Sequence, residues 1–230
     1  MRFAVLGSGS QGNGTLIASA DTYVLVDCGF SLRETEKRLL RLGVNPAQLS
    51  AILVTHEHAD HVHGVGLLSR RYNLPVYLSR GTLRGMRKPI EPAGLLAGGE
   101  QLQIGNLNIG VIAVAHDAQE PTQYVFSDGE RRFGLLTDLG SYCNKVLDGY
   151  RDLDALMIES NHCRDMLARG HYPYFLKQRV GGELGHLNNH QAAFLVSELG
   201  WQGLQHLVLA HLSSKNNLPQ LARQCFVDTL

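Results

Sequence analysis

Seven consecutive residues, Thr55-His56-Glu57-His58-Ala59-Asp60-His61, gather three imidazoles and two carboxylates into one short stretch. His56 and His58 are two apart, and alternate side chains of an extended segment share a face, so both rings can reach one ion. Asp60 and His61 stand just beyond, where the chain turns, and can serve a second ion nearby. Neutral imidazole and carboxylate suit zinc, iron or manganese. The elements that must position these donors lie on either side. Ala51-Ile52-Leu53-Val54 is short, continuous and β-branched and reads as a buried strand, while Gly64-Val65-Gly66 leads into an apolar-periodic helix. The donors therefore stand at the carboxyl edge of a sheet, where α/β folds bind ligands.

The chain has 230 residues, enough for a sizeable core and within reach of one domain. Its formal net charge is zero with His neutral, which excludes a global basic field for nucleic acid but leaves room for a local patch. Cys28, Cys143, Cys163 and Cys225 have no paired zinc spacing and read as reduced thiols. The opening Met1-Arg2-Phe3-Ala4-Val5-Leu6-Gly7 is too short an apolar stretch for a signal peptide, and no run approaches the roughly 18 apolar residues of a membrane span. A cytoplasmic protein with no membrane partner is expected.

Taken in order, Arg2 to Leu6 reads as a strand, followed by a Gly/Ser loop, Gly7 to Thr15. The loop is either an anion nest for phosphate or a flexible hairpin turn. Strands Leu16 to Ala18 and Tyr23 to Val26 lead to Asp27, which either caps a turn or borders the site. Ser31 and Glu34 have capping-box spacing and open a helix to about Leu42, with Leu32, Leu39, Leu40 and Leu42 on its apolar face and Gly43 at its end. Helix Val65 to Tyr72, strand Pro75 to Leu78 and a short helix Thr82 to Met86 follow. Arg80, Arg84, Arg87 and Lys88 form the most basic stretch, a charged surface with a phosphate-backbone patch as the alternative. Strands Leu102 to Ile104 and Leu107 to Val114 lead to His116. Asp128-Gly129 marks a hairpin between Gln123 to Phe126 and Arg132 to Leu136. A carboxylate at the end of that apolar strand, Asp138, needs charged partners. Strand Asp154 to Ile158, short helices near Met166 and Lys177, helix Gln191 to Leu199 with Asn188 or Asn189 as cap, strand His206 to Ala210 and helix Leu218 to Phe226 complete the chain.

His56-x-His58-x-Asp60-His61 resembles the second motif of the metallo-β-lactamase-fold hydrolases. The resemblance implies an α/β fold, a four-layer αββα sandwich forming one domain over residues 1–230, with two divalent metal ions, zinc or manganese with iron as a further option. By position, Asp27 matches the first motif, a residue that orients a ligand; His116 matches the third, Asp138 the fourth and His211 the fifth. The implied ligand set is His56, His58 and His116 on one ion, Asp60, His61 and His211 on the other, and Asp138 on both.

A narrower resemblance rests on Ser8-Gly9-Ser10-x-Gly12-Asn13, His116-Asp117-Ala118-x-Glu120-Pro121, Glu159-Ser160-Asn161-His162, Tyr172-Pro173, Gly185-His186-Leu187-x-Asn189 and His211-Leu212-Ser213-x-x-Asn216-Asn217. This set is similar to the YycJ/WalJ-like subfamily over nearly the whole chain, apart from Asn188 where that subfamily is expected to carry Ser. It implies a metal-dependent 5′-exodeoxyribonuclease in which a two-ion-activated hydroxide, steered by Asp60, attacks a DNA phosphodiester in line. His186 or His162 is expected to stabilise the transition state or protonate the leaving group. Ser10, Asn13, Ser213 and Ser214 are expected to hold the terminal phosphate of a DNA 5′ end.

Three rivals remain at this point: a small-molecule or cyclic phosphodiesterase, an RNA-processing hydrolase of the same fold, and a non-catalytic, metal-stabilised nucleic-acid-binding module. The long arm of a tRNA 3′-processing endonuclease has no room between His116 and Asp138, and the helical domain of a glyoxalase II-type thioesterase has no counterpart after His211.

Overall fold

The computed structural model describes residues 1–230. Its residues group into two compact units. The first is Met1–Ala113 with Ala118–Thr122 and Phe126–Glu130; the second is Val114–Asp117 with Gln123–Val125 and Arg131–Leu230.

In the first unit the order is β1 (Arg2–Gly7), β2 (Gly14–Ser19), β3 (Thr22–Val26), α1 (Leu32–Arg41), a 3₁₀ turn (Pro46–Gln48), β4 (Ala51–Leu53), α2 (Ala59–Val62), α3 (Val65–Tyr72), β5 (Val76–Ser79), α4 (Arg80–Gly85), β6 (Gly94–Leu96), β7 (Gln101–Ile104) and β8 (Leu107–Ala113). Then comes β9 (Thr122–Ser127). The second unit continues with β10 (Arg132–Leu136), α5 (Asn144–Gly149), β11 (Ala155–Glu159), α6 (Arg164–Arg169), α7 (Tyr174–Val180), α8 (Asn189–Leu199), β12 (His206–Ala210) and α9 (Pro219–Thr229). One six-stranded sheet runs β1-β2-β3-β4-β5-β6 and the other β12-β11-β10-β9-β8-β7. Two mixed sheets flanked by helices are the α/β architecture expected of the resemblance.

The first sheet begins as an antiparallel meander. It becomes parallel from β3 onward, with Val26 opposite Leu53 and Leu53 opposite Tyr77. Parallel strands are covered on both faces, and Ala51, Ile52 and Leu53 are fully buried. Leu39 of α1 and Val65 and Leu68 of α3 close the core over Leu25, Ile52, Val76 and Leu78. In the second unit β10, β11 and β12 are also parallel, with Leu136 opposite Ile158 and Glu159 opposite Ala210.

Two local expectations are corrected, and one strand goes unannounced in the sequence. Ser31 does cap α1 by accepting from Glu34 N, but Glu34 does not return the bond; its carboxylate instead meets Arg38 Nε at 2.8 Å. An i,i+4 cation outcompetes the reciprocal cap. Leu40 is 59% exposed while Leu39 is buried, because one helical step of 100° carries the side chain off the core face; Leu42, 46% exposed, is the C-cap, where the backbone has left the helix. The strand Gly94–Leu96 had no alternating pattern to announce it; it is an edge strand fixed by pairing with β5. The unexpected Asn188 is the N-cap of α8, in a full capping box with Gln191.

Candidate metal centre

In the first unit, parallel pairing brings the ends of β3 and β4 side by side. Asp27 N donates to Leu53 O, and Asp27 Oδ1 accepts from Thr55 N at 2.9 Å. Asp27 Oδ2 accepts from Thr55 Oγ1 and lies 2.8 Å from His61 Nδ1, with both side chains almost wholly buried. A carboxylate can only accept, so His61 carries its proton on Nδ1 and keeps the Nε2 lone pair for a ligand. Asp27 thus fixes the ring orientation of His61.

The single turn of α2 sets Asp60 and His61. It is laced to its neighbours by Cys28 N to His61 O, Asn13 N to Asp60 O and Gly64 N to Cys28 O. His56 Nε2 and His58 Nδ1 converge to 3.0 Å, and the His56 and His61 ring centroids lie 4.0 Å apart. Three imidazoles so close, two of them fully buried, form a donor set suited to a cation.

Asn13, expected at a phosphate, is 6% exposed. Its Oδ1 accepts from Gly9 N, and its Nδ2 lies 3.1 Å from Asp60 Oδ2 and 3.0 Å from His61 Nε2. The Gly/Ser loop therefore braces Asp60 and borders the Nε2 side of His61 through Asn13. Ser10 in the same loop is exposed.

In the second unit Asp138 follows β10, Glu159 ends β11 and His211 follows β12, so three parallel strands deliver their donors to one edge. His186 joins them from the loop before α8. Ligand atoms of Asp138, Glu159, His186 and His211 all lie within 4.8 Å of one another. His211 Nε2 is 3.3 Å and His186 Nδ1 3.6 Å from Asp138 Oδ1, and the His186 and His211 rings stack at 5.2 Å. His116 bonds Gly185 O through Nδ1 at 3.0 Å, which turns Nε2 towards Asp117 and Asp138. Burial depresses its imidazole pKa, partly countered by Asp138.

Asp27, Asp138 and His211 share one backbone property. Each has positive φ, at 60°, 55° and 51°. Non-glycine residues in that region are strained and collect at functional sites. Here the left-handed turn directly after a strand swings the side chain to the sheet edge.

Glu159 is the residue that sequence reasoning passed over. It is fully buried, accepts from Leu139 N at 2.8 Å and Leu187 N at 3.0 Å, and meets His186 Nδ1 at 3.0 Å. Its signal was the same as that of Asp27 and Asp138, a carboxylate closing an apolar strand. Burial alone would lower His186, but the charge and hydrogen bond of Glu159, with Asp138 and Asp117, lift it to about 9. His162 is buried among fewer counter-charges, and burial brings it down to about 4. Ser213 Oγ accepts from Asn216 N, and Ser214 is exposed.

The chain belongs to the beta-lactamase superfamily, whose domain profile matches residues 22–212, and within it to the family of the YycJ and WalJ exodeoxyribonucleases. It is 36% identical to exodeoxyribonuclease YycJ of Bacillus anthracis, over 100% of this chain and 89% of that one. It is 33% identical to exodeoxyribonuclease WalJ of Streptococcus pneumoniae strain D39, over 100% and 88%. Among solved structures, the metallo-β-lactamase-fold protein YhfI of Bacillus subtilis superposes with a TM-score of 0.77 at 21% identity, over 99% of this chain and 92% of that one, a likeness of fold. The resemblance read from the motifs is borne out. Enzymes of this fold bind divalent metals, and the clustered His and carboxylate donors fit such ions. No helix is long and apolar enough to cross a membrane.

Proposed function

We propose that this protein is a metal-dependent 5′-exodeoxyribonuclease of the cytoplasm, with residues 1–230 acting as one catalytic domain. The observation that carries the reading is likeness to two exodeoxyribonucleases along the whole chain. The donor sets at the strand ends support it. Two ions, zinc or manganese with iron also suited to the donors, would be held by His56, His58 and His116 and by Asp60, His61 and His211, with Asp138 as a further carboxylate donor. When bound, such ions supply a hydroxide at neutral pH and neutralise charge on the phosphoryl oxygens.

The chain's own residues do the rest. Asp60 accepts a hydrogen bond from the attacking water and aims it at phosphorus. Asp27 holds His61 through Nδ1, and Asn13 holds Asp60. Glu159 anchors His186 through Nδ1, which leaves Nε2 to meet a phosphate or leaving oxygen. His162, neutral in its buried setting, takes no proton-transfer part and is left as an acceptor. Ser10, Ser213 and Ser214 offer hydroxyls to a terminal phosphate.

The test is a gel time course on end-labelled single- and double-stranded DNA, with and without a 5′-phosphate, in manganese and in zinc. Stepwise loss from the 5′ end is expected, and His58→Ala should abolish it. Activity confined to RNA or to a small cyclic phosphodiester would replace the reading with one of those hydrolases. Binding without turnover would make the protein a metal-stabilised nucleic-acid module.

A further inference from the structure

α6 and α7 leave an open cavity of about 540 Å³ between them, beside His162. That volume falls within the roughly 300–1,000 Å³ of small-ligand sites. Arg164 and Lys177 are its charged lining residues, and no acid lines it. Leu167 and Ala168 give it an apolar wall, and Gln178 and Asn188 supply amides. Lys177 Nζ spends one of its three donors on Ala168 O, which links α7 to the end of α6. Tyr174 stands at its lip with 77% of its surface exposed, next to Phe175 at 73%. Two adjacent large aromatics left in water on one short helix form an apolar patch of the kind that interaction sites expose.

His162 forms the buried end of the cavity, at 2% exposure. Its Nδ1 faces Asn161 Oδ1 at 3.3 Å, an acceptor, which places the proton there and leaves Nε2 as a lone pair. Nε2 points to the Gly181 side, where a Cβ would stand 3.9 Å away. The cavity therefore combines an aromatic face at its mouth, two cations, two amides and a deep acceptor. This is the chemistry of one nucleotide: a base to stack, a phosphate to neutralise and a base edge with N–H groups to donate.

We propose that this cavity is a binding subsite for a single nucleotide of a single-stranded nucleic acid, separate from the metal-ligand set. The base stacks on Tyr174, the phosphate lies against Arg164 and Lys177, and the base edge donates to His162 Nε2. A duplex does not enter, because its bases are stacked and paired. The inference deepens the exonuclease reading and rests on it for the identity of the ligand as DNA.

The probe is a fluorescein-labelled deoxythymidine 12-mer with a cleavage-resistant phosphorothioate backbone, followed by anisotropy with the manganese-loaded protein. Removing one base-stacking aromatic costs roughly 1–3 kcal/mol, so Tyr174→Ala should weaken binding on the order of ten-fold. Tyr174→Phe should keep most of the affinity. Arg164→Ala should lower affinity and flatten its dependence on salt. Phe194→Ala, an exposed aromatic on α8, serves as the control and should bind as the parent does. A blunt duplex of the same length should bind more weakly than the single strand.

Unchanged affinity in both Tyr174→Ala and Arg164→Ala overturns the proposal, as does equal loss in Tyr174→Ala and Tyr174→Phe. Absence of any binding to the 12-mer also overturns it. The two readings fail separately. Tight binding that depends on Tyr174 without any cleavage keeps the subsite and removes the exonuclease. Cleavage with a KM indifferent to Tyr174→Ala keeps the exonuclease and removes the subsite.

Discussion

Asp27 and His61, 34 residues apart, meet at 2.8 Å through Oδ2 and Nδ1, both buried, with Thr55 Oγ1 bonded to the same carboxylate oxygen. This contact fixes the tautomer of a proposed ligand. Replacing Asp27 by Asn keeps the shape but removes the obligatory acceptor. Loss of such an outer partner typically costs 10- to 100-fold in metal affinity. A competition titration of the Asp27→Asn protein against a fluorescent zinc chelator should register that fall; parental affinity would deny Asp27 its orienting role.

Glu159 offers a stability prediction. It accepts from two backbone N–H groups and from His186. Glu159→Ala leaves all three donors without their acceptor in the interior and should cost about 3–5 kcal/mol in urea unfolding. Glu159→Gln keeps an acceptor oxygen and should cost less. Equal loss in the two variants would mean that packing, not hydrogen bonding, gives Glu159 its weight.

Gly29 tests how tightly the loop after β3 is pressed on α2. A Cβ at Gly29 would fall 1.7 Å from Asp60 O and 2.7 Å from Asn13 N. Both are backbone atoms and cannot swing aside, so Gly29→Ala must displace the turn that carries Asp60 and His61. We expect weakened metal binding together with a lower Tm, overpacking alone costing roughly 1–3 kcal/mol. A variant indistinguishable from the parent in both would contradict the contact.

His162 gives a pH signature. Its imidazole is held down to about 4 by burial, from the ordinary 6.5 of a free imidazole. Between those values the unfolded chain binds the proton and the folded chain does not. The stability it contributes is present above 6.5 and is lost as pH falls towards 4. His162→Gln should therefore lose less stability between pH 6.5 and pH 4 than the parent, by on the order of 2–3 kcal/mol. Parallel stability curves for the two proteins over that range would refute the depressed pKa.

Much of the fold was legible because its strands announce themselves. Ala51 to Val54, Arg132 to Leu136 and Ala155 to Ile158 are apolar runs that stop abruptly at His or carboxylate residues. A buried parallel strand leaves that pattern. Gly94–Leu96 had no such pattern, since an edge strand is held by its neighbour's backbone. The contacts of Asn13 were not legible for a similar reason: a Gly/Ser loop reads as an anion nest or a turn, and nothing local says that its Asn side chain turns inward to Asp60 and His61.

The sequence by itself determined the kinds of donor, their order, and their position just past the ends of strands, because those follow from residue type and hydrophobic period. Only the tertiary structure decided which carboxylate holds which imidazole. Asp27 and His61, or Glu159 and His186, lie 34 and 27 residues apart, and no local spacing couples them. The register of β3 against β4 and of β10 against β11 and β12, with left-handed turns at Asp27, Asp138 and His211, brings donor to partner. That register is set by burying whole strands, a property of the packed sheet and not of any one segment.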